Sequence, residues 1–355
     1  MNFKIQSLII LMSLLAMANG YGANQESCIL TGWGIDEKNP EAFIANARAI
    51  GFDELIAGST DPAFLKKAVD IGKTNNIKIF SCLHPITKSM WEKYAPTRPV
   101  PWQKMTEDEE AARKFIATGN NRYIIPYQFG GEPIMSNEVL AAKILCLSDM
   151  DARELLKPII DDIVTVPGIE GVAFDGFGYQ NYRRCYCEHC QSLLEDYSQK
   201  HPEIPKNERE TIFFRDALVD YINYLADYAR SKNRNIKTSI HIWPVFTQEP
   251  LYGNRLDIDY CGQTAAWYTL WPEGKIAEYS RIISQEAKKY HPRQQGVGMI
   301  GYYDLPGQFP VKDANRVDME LRTMIHNGCY RIQVCGAQDV INNKEVSAVF
   351  RKYFE

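Results

Sequence analysis

Residues 168–191 read GIEGVAFDGFGYQNYRRCYCEHCQ. Pro167-Gly168 introduces a short apolar run, Val172-Ala173-Phe174, that stops at Asp175. An apolar run of this length behind a turn signal predicts a buried strand. Gly176 and Gly178 follow at once, with aromatic residues between and after them. An acid at the carboxyl end of a buried strand, followed by a glycine-rich loop, is where an α/β barrel keeps its catalytic groups.

Working outward, the same kind of run recurs. Strands are predicted over 28–35, 54–57, 77–83, 172–175, 237–242, 258–264, 297–303 and 330–334. Between them lie helical patterns over 40–50, 61–73, 107–118, 148–164, 191–197, 208–231, 273–290 and 313–326, and a last helix starts near Asn343. Prolines open several helices and glycines close them, as capping physics prefers. Residues 123–127 read as an extra strand. Residues 86–109 break the rhythm with Pro96, Pro99, Pro101, Trp91 and Trp102, and read as an ordered loop over the active face. Eight strands separated by helices predict an α/β fold, a single-domain (β/α)8 TIM barrel over residues 24–355 with long loops on its catalytic face. The competing architecture is an open doubly wound sheet. Gly32-Trp33-Gly34 lacks the later glycine and helix start of a dinucleotide fingerprint.

The chain has 355 residues, 45% hydrophobic and 24% charged, a globular composition. Its formal charge of -4 offers no basic field to nucleic acid. Residues 1–23 read as a signal peptide: Lys4 precedes an apolar segment from Leu8 to Ala16, and cleavage fits after 18, 20 or 23. That segment is shorter than the roughly 20 residues a span requires, so no membrane span is expected, and the mature protein is expected to be secreted or periplasmic. Nine cysteines in such a compartment permit disulfides, and the odd count leaves at least one outside any internal pairing. Cys82, Cys261 and Cys335 sit in apolar strand-like runs and read as packed thiols.

The barrel plan gathers polar residues on one rim: Asp36, His84, Asp175, His241, Glu249 and Asp304. Trp33, Tyr179, Trp243, Trp267, Tyr302 and Tyr303 join them as aromatic walls. Carboxylates between aromatic walls suit a carbohydrate, whose ring faces stack while its hydroxyls hydrogen-bond. Glycoside hydrolysis needs two carboxyl groups, one to protonate the leaving oxygen and one to attack the anomeric carbon or activate water. Asp175 is assigned the second role, with Glu249 and Asp304 as candidates for the other and Glu132 as a further candidate. Each has a plainer reading, because loop acids commonly cap turns. His241 could equally be a satisfied interior residue.

The segment GVAFDGFG, Gly171 to Gly178, resembles the fourth-strand segment of barrel glycoside hydrolases of the α-amylase and α-galactosidase type. The resemblance implies that Asp175 is the nucleophile. In amylase-like members the proton donor follows the fifth strand and a stabilising Asp follows the seventh, which points to Glu249 and Asp304. The chain lacks the His that amylases place shortly after the nucleophile, and Glu249 lies well past its strand.

Cys185-x-Cys187-x-x-Cys190 also resembles a loop of barrel glycosidases that binds a structural zinc. Thiolates at this spacing can reach one tetrahedral ion, which wants four ligands. His189 is adjacent, and Cys146 is a candidate to fold in from elsewhere. The alternatives are a disulfide plus a free thiol, or packed thiols. No cofactor is expected for catalysis. The leading expectation is an exported glycoside hydrolase, retaining if Asp175 is a nucleophile. The alternatives are a non-catalytic carbohydrate-binding barrel and a metal-dependent hydrolase using His84, His241 and Asp304.

Overall fold

All eight runs read as strands pair in chain order. The computed structural model describes residues 28–118, 143–181, 183–242, 255–266, 270–286, 289, 291–302 and 311–355. The strands are β1 (Ile29–Trp33), β2 (Glu54–Ala57), β3 (Lys78–Leu83), β4 (Gly171–Phe174), β5 (Lys237–Ile242), β6 (Tyr260–Ala266), β7 (Gln295–Gly301) and β8 (Arg331–Cys335). Each pairs in parallel with the next, and β8 returns to β1 through Gly32 opposite Val334, so the sheet closes into a (β/α)8 barrel. Every strand therefore ends at the same rim. The leader expected over residues 1–23 and the extra strand over 123–127 lie outside the described residues. No helix of the described residues is long and apolar enough to cross a membrane.

Alternation along each strand sorts side chains between two places. Leu30, Leu55, Ile79, Val172, Ile240, Ile332 and Val334 belong to the large core between sheet and helices. Ile56, Phe80, Cys82 and Ala173 form a second, smaller cluster, with Trp33 and Tyr260 packed against it. Their alternate positions place this second cluster inside the barrel.

The interior also holds polar groups, and they are paired. Near the strand starts, Glu54 accepts from Thr31 Oγ1 at 2.7 Å and from Arg331 Nη1 at 2.6 Å. The Arg331 guanidinium lies 3.9 Å from the centre of the Tyr260 ring. Nearer the rim, Gln333 accepts from the Trp33 indole at 3.2 Å and donates to Ser239 Oγ at 3.0 Å. Glycines make space for these groups. A Cβ at Gly171 would overlap the Lys237 carbonyl oxygen and the Phe80 ring.

The helices depart from expectation in a few places. The pattern read over 148–164 forms two helices, Met150–Glu154 and Lys157–Val164. Pro158 has no amide hydrogen and its ring clashes with the preceding turn, so it begins a new helix. The loop over 86–109 contains a further helix, Lys88–Tyr94, capped by Thr87 and anchored by the fully buried Trp91. Gly336, at a φ of 86°, turns the chain into a short helix, Ala337–Asn342, before the last one.

Two substitutions test this interior. Gly171→Ala is expected to destabilise the fold by about 1–3 kcal/mol, because a backbone carbonyl cannot retreat as a side chain can. Arg331→Met is expected to cost about 3–5 kcal/mol, because it strands the Glu54 charge. Urea denaturation of each variant against the parent measures both.

Candidate active site

The site begins where β4 ends. The Asp175 amide donates to the Leu83 carbonyl at 3.1 Å, so the residue remains held to β3 just past the last strand position. Gly176 follows at a φ of 76°, a conformation that residues with a side chain rarely adopt. Its amide favours the charged form of the Asp175 carboxylate. The carboxylate is 28% exposed, so it is reachable from the rim while partly shielded from water.

Two imidazoles flank it. His241, near the end of β5 and buried, has Nδ1 2.9 Å from Asp175 Oδ1. A carboxylate only accepts, so this bond places a proton on Nδ1. His84, just past β3 and 54% exposed, has Nδ1 3.8 Å from Asp175 Oδ2. Burial pushes the Asp175 pKa up. The His241 hydrogen bond, the charges of His241 and His84 and the Gly176 amide outweigh it, leaving the pKa below the ordinary value. The group is thus an oriented carboxylate at neutral pH, with one oxygen engaged by His241 and the other facing the exposed imidazole. Such a group can attack an electrophilic carbon, accept a proton or stabilise a developing positive charge.

Trp33 closes the other side of His241, with ring centres 5.5 Å apart and planes tilted by 54°. Cys82 Sγ lies 3.4 Å from His84 Nε2. Burial, then the charge of Asp175, raises the Cys82 thiol well above its ordinary pKa, so it is neutral here.

The structure thus brings together Trp33, His84, Asp175 and His241 among the expected residues. Asp36 is half-buried, and its carboxylate accepts from the Lys38 amide at 3.0 Å, which makes it the cap of a turn. Two expected wall residues are corrected. Tyr179 is buried, with its hydroxyl donating to the Phe214 carbonyl at 3.0 Å and its ring edge-on to Phe214. It faces the helix layer because the loop after Asp175 folds back onto the helix Lys206–Lys232. Tyr302 is also buried, its hydroxyl accepting from Asn343 Nδ2 at 2.9 Å. Trp243, Glu249, Trp267, Tyr303 and Asp304 lie outside the described residues, as does Glu132. Cys185, Cys187 and Cys190 gather with Cys146 beside the β4 loop. The His189 ring instead meets the Ser148 carbonyl at 3.2 Å.

Cys82, Ser239 and Gln333 were not among the expected site residues. The signal for them is period-two alternation. Cys82 shares an inward face with Phe80, Ser239 with His241, and Gln333 with Arg331 and Cys335.

No protein-family model matches the chain, and no curated protein matches it. Solved structures do resemble it in fold. A glycoside hydrolase family 20 β-N-acetylglucosaminidase is similar at a TM-score of 0.50 and 8% identity, over 91% of this chain and 68% of that chain. An endo-1,4-β-D-mannanase from Thermotoga petrophila is similar at 0.47 and 10% identity, over 92% of this chain and 99% of that chain. A maltogenic α-amylase from Thermotoga neapolitana is similar at 0.47 and 11% identity, over 92% and 75%. The closed parallel sheet, with the likeness to the acetylglucosaminidase, defines the class as a (β/α)8 barrel. At these identities the likeness is one of fold.

The depressed Asp175 pKa has a signed consequence. The stability that ionised Asp175 contributes is complete above the unfolded-state value of about 3.9 and is lost as pH falls through the lower folded-state value. The melting temperature of the parent is therefore expected to fall more steeply below about pH 4 than that of Asp175→Asn. Parallel thermal melts of the two proteins from pH 7 downward measure this.

Proposed function

We propose that this chain is an exported glycoside hydrolase acting on an oligo- or polysaccharide, with Asp175 as the carboxylate at the anomeric carbon. The observation that carries the proposal is the position of Asp175. It stands at the catalytic end of a barrel strand, ionised and partly exposed, with its oxygens oriented by His241 and His84. An oxocarbenium-like transition state develops positive charge, and a fixed carboxylate stabilises it or bonds to it. Trp33 and the exposed His84 ring offer apolar and polar edges to a sugar. Glu249 and Asp304 are the proposed proton donor and stabilising acid, on the order of the strands their loops follow. Export rests on the leader pattern of residues 1–23.

The test is a screen of the purified protein against chromogenic glycosides and plant, microbial and host polysaccharides. Turnover of a glycoside is expected, with kcat lowered on the order of 10⁴-fold in Asp175→Asn while its circular dichroism at neutral pH keeps the parent's fold. Retention of anomeric configuration in the first-formed product, followed by NMR, is expected of a nucleophilic Asp175. Saccharide binding without cleavage would move the reading to a non-catalytic carbohydrate-binding barrel.

A second reading has its own observation. The ligating atoms of Cys82, His84 and Asp175 lie within 4.8 Å of one another, close enough to hold a metal ion. A metal-dependent hydrolase built on them would lose activity in Cys82→Ser. The glycosidase proposal expects that variant to keep activity within a few fold, because the neutral thiol has no role in it.

A further inference from the structure

Away from the rim, four cysteines meet where two loops cross. Cys185, Cys187 and Cys190 follow Asp175 in the chain, while Cys146 comes from a segment bridged to Trp102 through Leu145. All four Sγ atoms lie within 4.8 Å of one another, with Cys146 3.4 Å from Cys190 and 3.7 Å from Cys187. A disulfide holds its sulfurs at about 2.05 Å. Four sulfurs bound at about 2.3 Å to one tetrahedral ion stand about 3.8 Å apart. The two distances to Cys146 lie close to the tetrahedral value and far from a disulfide's.

The surroundings favour thiolates. The amides of Lys104 and Cys187 each donate to Cys185 Sγ at 3.4 Å, and the Cys190 amide donates to Cys187 Sγ at 3.4 Å. Cys187 is also the N-cap of the helix Glu188–Lys200, at the positive end of its dipole. Cys190 Sγ also lies 3.4 Å from Ser148 Oγ. Cys146, Cys185 and Cys190 are buried, and four unpaired thiols packed together would forfeit the charge-assisted bonds this backbone is shaped to make.

We propose that Cys146, Cys185, Cys187 and Cys190 bind one Zn²⁺ as a tetrathiolate. Each thiol gives up its proton to solvent and each sulfur donates an electron pair, with no change in oxidation state. Four protein ligands fill the tetrahedron, which leaves no position for a substrate or water, so the site is structural. His189 is not among the groups whose ligating atoms converge here, and the four sulfurs complete the tetrahedron without it.

The ion's place defines what it does. The same two loops are joined by Gln103, which donates to the Gly178 carbonyl at 2.9 Å and accepts from the Gln180 amide at 2.8 Å. They are joined again by buried Glu109, which accepts from Asn181 Nδ2 at 3.0 Å and pairs with Arg183. Zinc would be a third fastening. It ties the excursion between β3 and β4 to the loop leaving Asp175, and so sets that loop's path at the rim.

The test uses the full chain produced with zinc and iron both available. Elemental analysis is expected to give one zinc per chain. Thiol titration in denaturant with chelator, without reductant, is expected to count all nine cysteines. Replacement by Co²⁺ is expected to give the sulfur-to-cobalt charge-transfer and visible bands of tetrahedral thiolate coordination. Cys146→Ser is expected to lower zinc affinity at least tenfold. Less than about a tenth of an equivalent of zinc, iron in its place, or a thiol shortfall that reductant restores would overturn the proposal. These readouts do not involve turnover, so they stand or fall separately from the role of Asp175.

Discussion

Closure of the sheet is the constraint from which the rest follows. Once β8 pairs with β1, every inward side chain shares one narrow space and every strand end meets one rim. The inward positions must then fill that space without clash and without an unpaired charge. Gly171 yields room to the Phe80 ring, and Gly262 yields room to Gln333 and Met299. Glu54 is tolerable there because Thr31 and Arg331 both reach it. A buried carboxylate without such partners would destabilise the fold by several kcal/mol or protonate.

The interior is graded from one end to the other. An ion pair sits near the strand starts, the Gln333 amide bridges Trp33 and Ser239 further along, and Asp175 with two imidazoles occupies the rim. The rim groups are more exposed, which suits chemistry. His241 is the exception: it is buried, and it serves Asp175 as a fixed donor. The β3–β4 excursion reinforces the arrangement from outside, since Gln103 and Glu109 bind the loop that leaves Asp175.

Much of the fold was legible in the chain because strand and helix patterns are local. A run such as Val172-Ala173-Phe174 between turn residues identifies itself, and Asp61 before Pro62 announces a helix start that the structure realises with a bond to the Phe64 amide at 3.0 Å. Loop geometry was less legible. Tyr179 follows two glycines and looks exposed in sequence, yet the loop turns it inward to Phe214, 35 residues away. The break within 148–164 was written in Pro158 but is masked by strong apolar spacing on both sides.

The amino-acid sequence by itself determined eight strands, their alternation with helices, and an acid at the end of the fourth, because each depends on patterns only a few residues long. Only the tertiary structure decided which polar groups meet. His241 and Asp175 are 66 residues apart, Cys146 and Cys187 are 41 apart, and Trp33 and Gln333 are 300 apart. Such meetings depend on strand register and on the path of long loops. Those are set by packing across the whole barrel, and no local pattern encodes them.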